Sequence, residues 1–587
     1  MKVSTGTDQF IDCAVWSECN FNKRQRHFSK ELGSGVKRSE IWHQKVGAQL
    51  LGAGEKQKWF IPLRQFKANG VRSRLTFYGI KYIIEVIAKA LIPELPNFSI
   101  ASTSHNLTIS NSSATIEKFH LLTTNEPSDI YVDHHQPNAI FVSMRNFSAL
   151  TECTLKGALA GESLNGQVRI QSNQTSLNVA VRIRKATNGS PHIDVQECSI
   201  DKTTSHVVTH IDMLSASDTA AIQVQLMRSA PDMVESILCA YVEWIVNLRV
   251  NERFMHLPTS ISLAQIARTE SLHHSSNKSS RRITSSRRRR TQRAPESLIA
   301  FIDSFNLSRA GNLFLDYSIL TDPLTDSYGI EFNSSGEVSV DGKGGTPFGS
   351  APMELPPLGN LTKMFQIVIS DFVPNSLMHH GHKTGLFNTR VDPTTPQLGP
   401  VMRTTCGFTS GPLFCLGDLL PTLRHFHPNR GIAMIFRSAQ PPVVIFREGR
   451  QGAFFAMNGH IAVWAIDDRG VEKKVGEMGI EIEAYMKFRI SGAILKAKLS
   501  LEKIHLKSIN SEALQQDELD DAGLLGREII QRIVNDVLKD GVPIPIHPLF
   551  RLRKTKIALM DRACVIVTDF QLSSKTIRQL VSRRRAT

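Results

Sequence analysis

The chain has 587 residues, enough for about two to four domains. Hydrophobic content of 41% and charged content of 21% are those of ordinary globular protein, and no apolar run reaches the ~18–20 residues that span a bilayer. The net charge of +15 is largely local, because Arg281, Arg282, Arg287, Arg288, Arg289, Arg290 and Arg293 fall in one stretch. The isoelectric point therefore carries no argument for nucleic acid or bacterial envelopes.

Residues 1–66 are an unassigned basic N-terminal segment with scattered aromatics such as Trp42 and Trp59. The first residues lack the apolar core of a secretory signal. After them, Ile80, Ile83, Ile84, Ile87, Ala88 and Leu91 recur at helical spacing and predict a helix over Leu75–Leu91. Ile92-Pro93 ends it, since Pro cannot continue the ladder. Glu85 and Lys89 make this an amphipathic helix rather than a membrane span.

Alternating segments follow at Asn106–Ile109, Ala114–Ile116, Ala139–Met144, Cys153–Ala160, Asn165–Ile170, Leu177–Ile183 and His192–Ile200. They read as strands of a sheet with one wet face. Asn165-Gly166 and Asn188-Gly189 read as hairpin turns. Pro231 is expected to start a second long helix, whose apolar face carries Met233, Val234, Ile237, Leu238, Tyr241, Ile245 and Leu248. Residues 268–295 are Ser- and Arg-rich and cannot bury enough apolar surface to order themselves.

Strands resume within 298–340, and a Pro/Gly-rich loop covers 342–359. A strand at Gln366–Ile369 then runs into Ser370-Asp371, with a helix from Val373-Pro374-Asn375 to Gly381 or Gly385. Further strands are expected at Gly431–Arg437, Val443–Phe446, Ala453–Asp467, Gly479–Ile490 and Ala493–Ile504. An amphipathic helix carries Leu525, Ile529, Ile533 and Val537, with Gly541 as cap and Pro543 as stop. Strands close the chain between Phe550 and Phe570, and 573–587 is a basic tail.

Two stretches carry a resemblance. Ser370, Asp371, Phe372, Asn375, Gly385 and Leu386 stand where the C-terminal domain of one family has Ser-Asp/Glu-aromatic, a helical Asn, a small residue and an apolar strand. Asn69, Gly70, Arg74, Leu75, Thr76, Gly79, Ile80 and Tyr82 match that family's N-terminal signature, although its usual Pro between Asn69 and Gly70 is missing. The chain resembles the family of bactericidal/permeability-increasing protein, lipopolysaccharide-binding protein and the plasma lipid-transfer proteins, over about residues 67–572.

The resemblance implies an α+β chain of two tandem tubular lipid-binding barrels. Each is a curved antiparallel sheet wrapped on long amphipathic helices, and a central sheet joins them. The barrels would be 67–265 and 346–572, with a linker and insert at 266–300 and a central-sheet connection at 301–345. It implies lipid binding, with lipid transfer or innate immunity as its uses, and an extracellular glycoprotein. The partners expected are a phospholipid or other amphipathic lipid and membrane or lipoprotein surfaces, with no nucleic acid, cofactor or metal. Lipid would lie against Ile80, Ile83, Ile84, Ile87, Leu91, Met233, Ile237, Tyr241 and Ile245, and against Leu377, Leu386, Leu525, Ile529, Ile533 and Val537. The resemblance pairs Cys198 with Cys239; Cys406 and Cys415, flanking a Gly/Pro turn, are a second candidate pair.

Family members that bind lipopolysaccharide use Lys-rich loops at the N-terminal tip. Here Pro93–Ser113 has no Lys or Arg, and only Arg182, Arg184 and Lys185 sit near an expected tip hairpin, which argues against endotoxin binding. Sequons such as Asn106, Asn146 and Asn188 favour secretion; the absent signal conflicts with it, so the true N-terminus is expected to differ.

Catalytic motifs are missing: there is no G-x-S-x-G and no H-E-x-x-H, and the chain is expected not to be an enzyme. His379, His380 and His382 form an imidazole cluster without an obvious fourth ligand, so an exposed helix end outweighs a zinc site. The competing function is a basic intracellular nucleic-acid- or protein-binding protein acting through the Arg tract, although no aromatic residue is interleaved there.

Overall fold

The computed structural model describes residues 69–97, 105–263, 311–406, 415–543 and 550–573, apart from short breaks, and Ile577. The N-terminal segment, the Arg-rich insert, Gly541 and most of the basic tail lie outside the described residues.

Strand β1 (Val71–Thr76) leads directly into helix α1 (Phe77–Leu91). The helix starts two residues later than its apolar spacing suggests. Leu75 and Thr76 belong to the strand ladder, and the Thr76 hydroxyl accepts from Gly79 N as the N-cap.

The N-terminal sheet follows: β2 (His105–Ile109), β3 (Ser112–Thr124), β4 (Asp129–His135), β5 (Ala139–Leu159), β6 (Glu162–Lys185), β7 (Pro191–Asp201) and β8 (Thr204–Ile211). Segments that read as separate short strands are parts of β5 and β6. Asn165-Gly166 is no turn: both residues pair with Leu155 and Lys156 inside the ladder. Asn188-Gly189 is a turn, with Gly189 at φ +83°. Lys118, Asn146 and Gln174 adopt positive φ on three neighbouring strands where the register slips. Such bulges bend and twist a sheet, and here they curl it over a helix.

That helix, α2 (Ala216–Ile245), holds Pro231 in its interior rather than at its start. Ile222, Leu226, Ala230, Met233 and Ile237 form one buried stripe that runs past the proline. Burial of each large apolar side chain contributes roughly 2 kcal/mol, so the stripe outweighs the ~3 kcal/mol penalty of an interior proline. A π-turn (Val246–Asn251) and the short α3 (Glu252–Met255) close this half.

Next come β9 (Ser260–Ser262), β10 (Leu313–Asp316), β11 (Leu324–Thr325), β12 (Gly329–Ser334), β13 (Glu337–Val340) and β14 (Phe365–Ser370), then α4 (Phe372–Thr384). The C-terminal part contains β15 (Thr389–Val391), α5 (Leu416–Leu419), α6 (Pro421–Phe426), β16 (Gly431–Ser438), β17 (Val443–Ile445) and β18 (Ala453–Ile466). It ends with β19 (Glu472–Ser491), β20 (Ile494–Ile509), α7 (Gln516–Leu538), β21 (Val542–Pro543), β22 (Phe550–Met560) and β23 (Ala563–Leu572). Pro543, expected as a helix stop, pairs with Ile494 in a short strand.

The architecture is α+β and its sheets are mostly antiparallel. A central sheet has the order β11-β12-β1-β14-β23-β22, and a small sheet is β13-β10-β9. The N-terminal sheet and the C-terminal sheet, β15-β16-β18-β19-β20-β21 with β17 on β18, are curved but open. Among the described residues no sheet closes into a barrel, in contrast to the barrels that the resemblance implies. Among the described residues, no helix is long and apolar enough to cross a membrane.

Candidate functional site

The two signature stretches meet in the central sheet. β1 pairs antiparallel with β14, placing Val71 opposite Ile369 and Arg74 opposite Gln366. Their polar residues act as clamps. Gly70 N donates to Ser335 O at 2.7 Å, and a Cβ at Gly70 would lie 2.4 Å from that oxygen. Asn375 on α4 accepts from Val444 N at 2.8 Å and donates to Val444 O at 2.6 Å, tying β17 to the helix. Asp371 is fully buried against the Arg562 guanidinium, and burial raises its carboxyl despite that partner. These residues hold the two halves to one sheet.

The apolar residues expected to face lipid do not form one wall. Helix α1 has two apolar faces. Ile80 and Ile84 pack with Ile130, Ile140 and Val142 of the N-terminal sheet. Ile83 and Val86 pack with Met364, Phe570 and Leu572 of the central sheet. Leu91, at the helix end, meets Ile237 and Tyr241 of α2 over Leu121 and Ala149, with Leu95 and Trp244 beside them. Met233 sits deeper, under the N-terminal sheet. Ile245 is half-buried, and Ile87 is 38% exposed.

In the C-terminal part, Leu377 and Leu386 pack against Leu313 and Val338 of the small sheet. Helix α7 lies along β20, and Asn535 and Gln531 accept from the Leu499 and Leu501 amides at 2.7 Å each. Leu525 on this helix is 57% exposed and Leu524 70%. The side chains of Ile529, Ile533 and Val537 lie outside the described residues. A pocket of about 290 Å³ opens elsewhere, between Thr123, Thr124, Asn125, Ser148, Ala149, Leu150 and Gln171. Its lining is mostly hydroxyl and amide, and Thr124, Asn125 and Ser148 already bond to one another. It does not suit an acyl chain.

His379 and His380 are buried, not an exposed helix end. The His379 ring lies 5.8 Å from the Phe348 ring and 5.1 Å from that of His380. Burial lowers the His379 imidazole to about 4 and lowers His380 as well. His382 bonds Ser438 through Nδ1 at 2.7 Å. Among the described residues no three His, Cys, Asp or Glu groups converge as a metal site.

Cys198 on β7 and Cys239 on α2 stand at disulfide distance, with Cα atoms 5.8 Å apart; Cys406 and Cys415 do so at 5.9 Å. Cys153 and Cys564 are buried thiols, pushed up by burial to about 12 each, which keeps them inert.

The β6–β7 hairpin is no tip. Gly189 packs on Ser318, and its carbonyl accepts from Ile319 N at 2.8 Å, so the turn is docked on the connection before the central sheet. Its cations are engaged: Arg184 pairs with Asp194, Arg182 lies 3.6 Å from Asp322, and Lys185 donates to Leu320 O.

Residues 308–572 match the family model described as LBP / BPI / CETP family, C-terminal domain. These residues form a domain of the LBP/BPI/CETP family. A crystal structure of lipopolysaccharide binding protein aligns over 86% of this chain and 99% of its own, at 14% identity and TM-score 0.47. Epiphyas postvittana Takeout 1 aligns over 30% of this chain and 92% of its own, at 11% identity and TM-score 0.22. P47 of Clostridium botulinum E1 aligns over 86% and 100%, at 6% identity and TM-score 0.22. None of these likenesses is close enough to transfer a function. No curated protein matches the sequence. The family match ends at Leu572, where the central sheet's β23 ends.

Proposed function

We propose that this protein, which carries a C-terminal domain of that family, binds lipid and holds the acyl chains of a phospholipid-like ligand against its helices. The observation that carries the reading is the apolar junction of Leu91 with Ile237 and Tyr241 under a curved, open-edged sheet. Ile87 on α1 and Leu524, Leu525 and Ile530 on α7 keep large exposed fractions. Bound acyl chains would cover such groups, at roughly 0.8 kcal/mol per buried methylene. No chemistry is required of the site, and the role proposed is carriage or transfer.

An extracellular location fits this reading. Two cysteine pairs stand at disulfide distance, and such pairs persist in oxidising compartments. Asn106, Asn146 and Asn188 lie in sequons and are exposed. The alternative reading rests on an Arg tract outside the described residues, and the fold lends it no support.

The test is direct. Protein spanning 67–572 is purified, extracted with organic solvent and analysed by mass spectrometry, and uptake of a fluorescent phospholipid is followed. Co-purified or acquired lipid supports the proposal. Folded protein that yields none and takes none up returns the chain to a structural role.

A further inference from the structure

The β19–β20 ladder separates its charges along its length. Ala484 and Leu501 are paired and mark the inner face, at 0% and 3% exposure. On the opposite face β19 runs Glu481, Glu483, Tyr485, Lys487, Arg489, with alternation placing these side chains on one side. At the acidic end Lys503 neutralises Glu481 at 3.1 Å. Toward the hairpin end, the register sets Lys487 opposite Lys498 and Arg489 opposite Lys496.

Directly opposed residues share a face roughly 5 Å apart, and like charges there oppose strand pairing. Three of the four are exposed and Lys496 is half-buried. Among the described residues none of the four enters an ion pair or side-chain hydrogen bond. Ile494, opposite Ser491, completes this face and is 39% exposed. The other face of this hairpin is covered: Met486 and Phe488 pack on Ile557 and Leu559 of β22 in the central sheet.

Exposed lysines on a strand are ordinarily a solvated surface. Here the register brings cations into facing pairs and supplies no neutralising acid across the ladder, although Thr or Ser at these positions would serve the strand. A local rule broken without an internal compensation points to a contact outside the chain. The complementary partner is anionic. The cations spread over two strands, and an exposed isoleucine lies among them. This suits an extended surface with an apolar interior better than a single soluble anion.

We propose that the outer face of the β19–β20 hairpin end docks on an anionic phospholipid bilayer. Lys487, Arg489, Lys496 and Lys498 lie over the headgroups, and Ile494 enters the interface. The surface is separate from the apolar faces proposed to hold acyl chains, so docking and carriage stand or fall apart.

The experiment is cosedimentation of the full chain with phosphatidylcholine vesicles, with and without phosphatidylserine, at low and high salt. The wild type should bind the anionic vesicles, and salt should weaken binding. Each basic residue at such a surface is worth about fivefold at low salt. Lys487→Gln with Lys498→Gln, and separately Arg489→Gln with Lys496→Gln, should therefore lower affinity by roughly tenfold or more. Both variants relieve repulsion within the ladder, so their thermal midpoints should hold or rise. Arg169→Gln, on the N-terminal sheet and paired with Glu152, should bind as the wild type does. Equal binding to neutral and anionic vesicles overturns the proposal. So does wild-type affinity in both double variants, or a wild type that binds heparin but no vesicle. Lipid extracted from the double variants should equal that from the wild type, which keeps failure of carriage distinct from failure of docking.

Discussion

Arg74 and Glu331 face each other across the β1–β12 ladder, with Arg74 Nε donating to Glu331 Oε1 at 3.0 Å. Gln366, opposite Arg74 on the other side, accepts from its Nη1 at 3.0 Å. Tyr328 lies under the guanidinium, its ring centroid 5.0 Å away. Arg74 and Glu331 side chains are 6% and 10% exposed. The row Glu331–Arg74–Gln366 therefore crosses three strands and binds the N-terminal signature to the C-terminal one. Removing Glu331 leaves the buried Arg74 with only the more exposed Asp326, 3.3 Å away, as its acid, and breaking a buried pair costs about 3–5 kcal/mol. Glu331→Ala should destabilise by about that amount in chemical unfolding. Arg74→Met combined with Glu331→Leu should recover most of it, and a double variant no better than the single one would contradict the account.

The Cys198–Cys239 pair should contribute more than its local packing. It closes a loop with a sequence separation of 41 between β7 and the C-terminal part of α2. In the chain-entropy model such a link stabilises by about 4 kcal/mol. Peptide mapping without reductant should recover the linked pair from secreted protein. Cys239→Ala should lower the unfolding midpoint, whereas Cys153→Ala should act only through its small cavity.

Acid should loosen the α4 region. Burial holds His379 at about 4, below the ordinary imidazole value of 6.5. Between those values the unfolded chain binds the proton and the folded chain does not. Stability is therefore full above about 6.5 and falls as pH drops toward 4. His380 shifts in the same direction. Asp371, raised from the ordinary value of 3.8 by burial, acts in the opposite sense as pH rises above that value. The informative quantity is thus the difference between wild type and His379→Phe. That variant should lose part of the stability slope between pH 6.5 and 4 in denaturant titrations. Identical slopes would place the acid sensitivity elsewhere.

The Arg-rich insert should be dispensable for folding. Residues 270–294 contain few core-forming side chains. Their deletion should leave the thermal midpoint within a few degrees of wild type. If the basic intracellular reading were correct, the same deletion would abolish a salt-sensitive RNA or DNA affinity.

Much of the fold is legible in the sequence because one-sided sheets and helices leave distinct periods. Glycine and proline were the misleading signs. Asn165-Gly166 reads as a turn, but Gly166 pairs with Leu155 and Ile211 on two flanking strands. Pro231 reads as a helix start, whereas the stripe begins at Ile222 and a proline in a well-packed helix is tolerated. Side-chain surroundings are less legible still, because they depend on contacts distant in sequence. The spacing of His379 and His380 gives no sign that Phe348 covers one of them. The charges of Arg182 and Arg184 give no sign of Asp322 and Asp194 beside them. The facing cations of β19 and β20 become visible only when the register is known.

The division of α1 into two faces makes the lipid proposal sharper. Ile84 points into the N-terminal sheet with Ile80, Ile140 and Val142. Ile83, one residue away, packs on Phe570 and Leu572 of the central sheet. Both are half-buried, and Arg at either position would place a charge in apolar surroundings at a cost of several kcal/mol. The two substitutions should therefore damage folding comparably but differ in bound lipid. If acyl chains lie between α1, α2 and the curved sheet, Ile84→Arg should lower the lipid extracted per folded molecule, and Ile83→Arg should leave it near wild type. Lipid content must be compared on protein shown to be folded by circular dichroism. Equal loss in both would mean that lipid content follows stability alone. Loss only in Ile83→Arg would move the ligand to the central-sheet side of the helix.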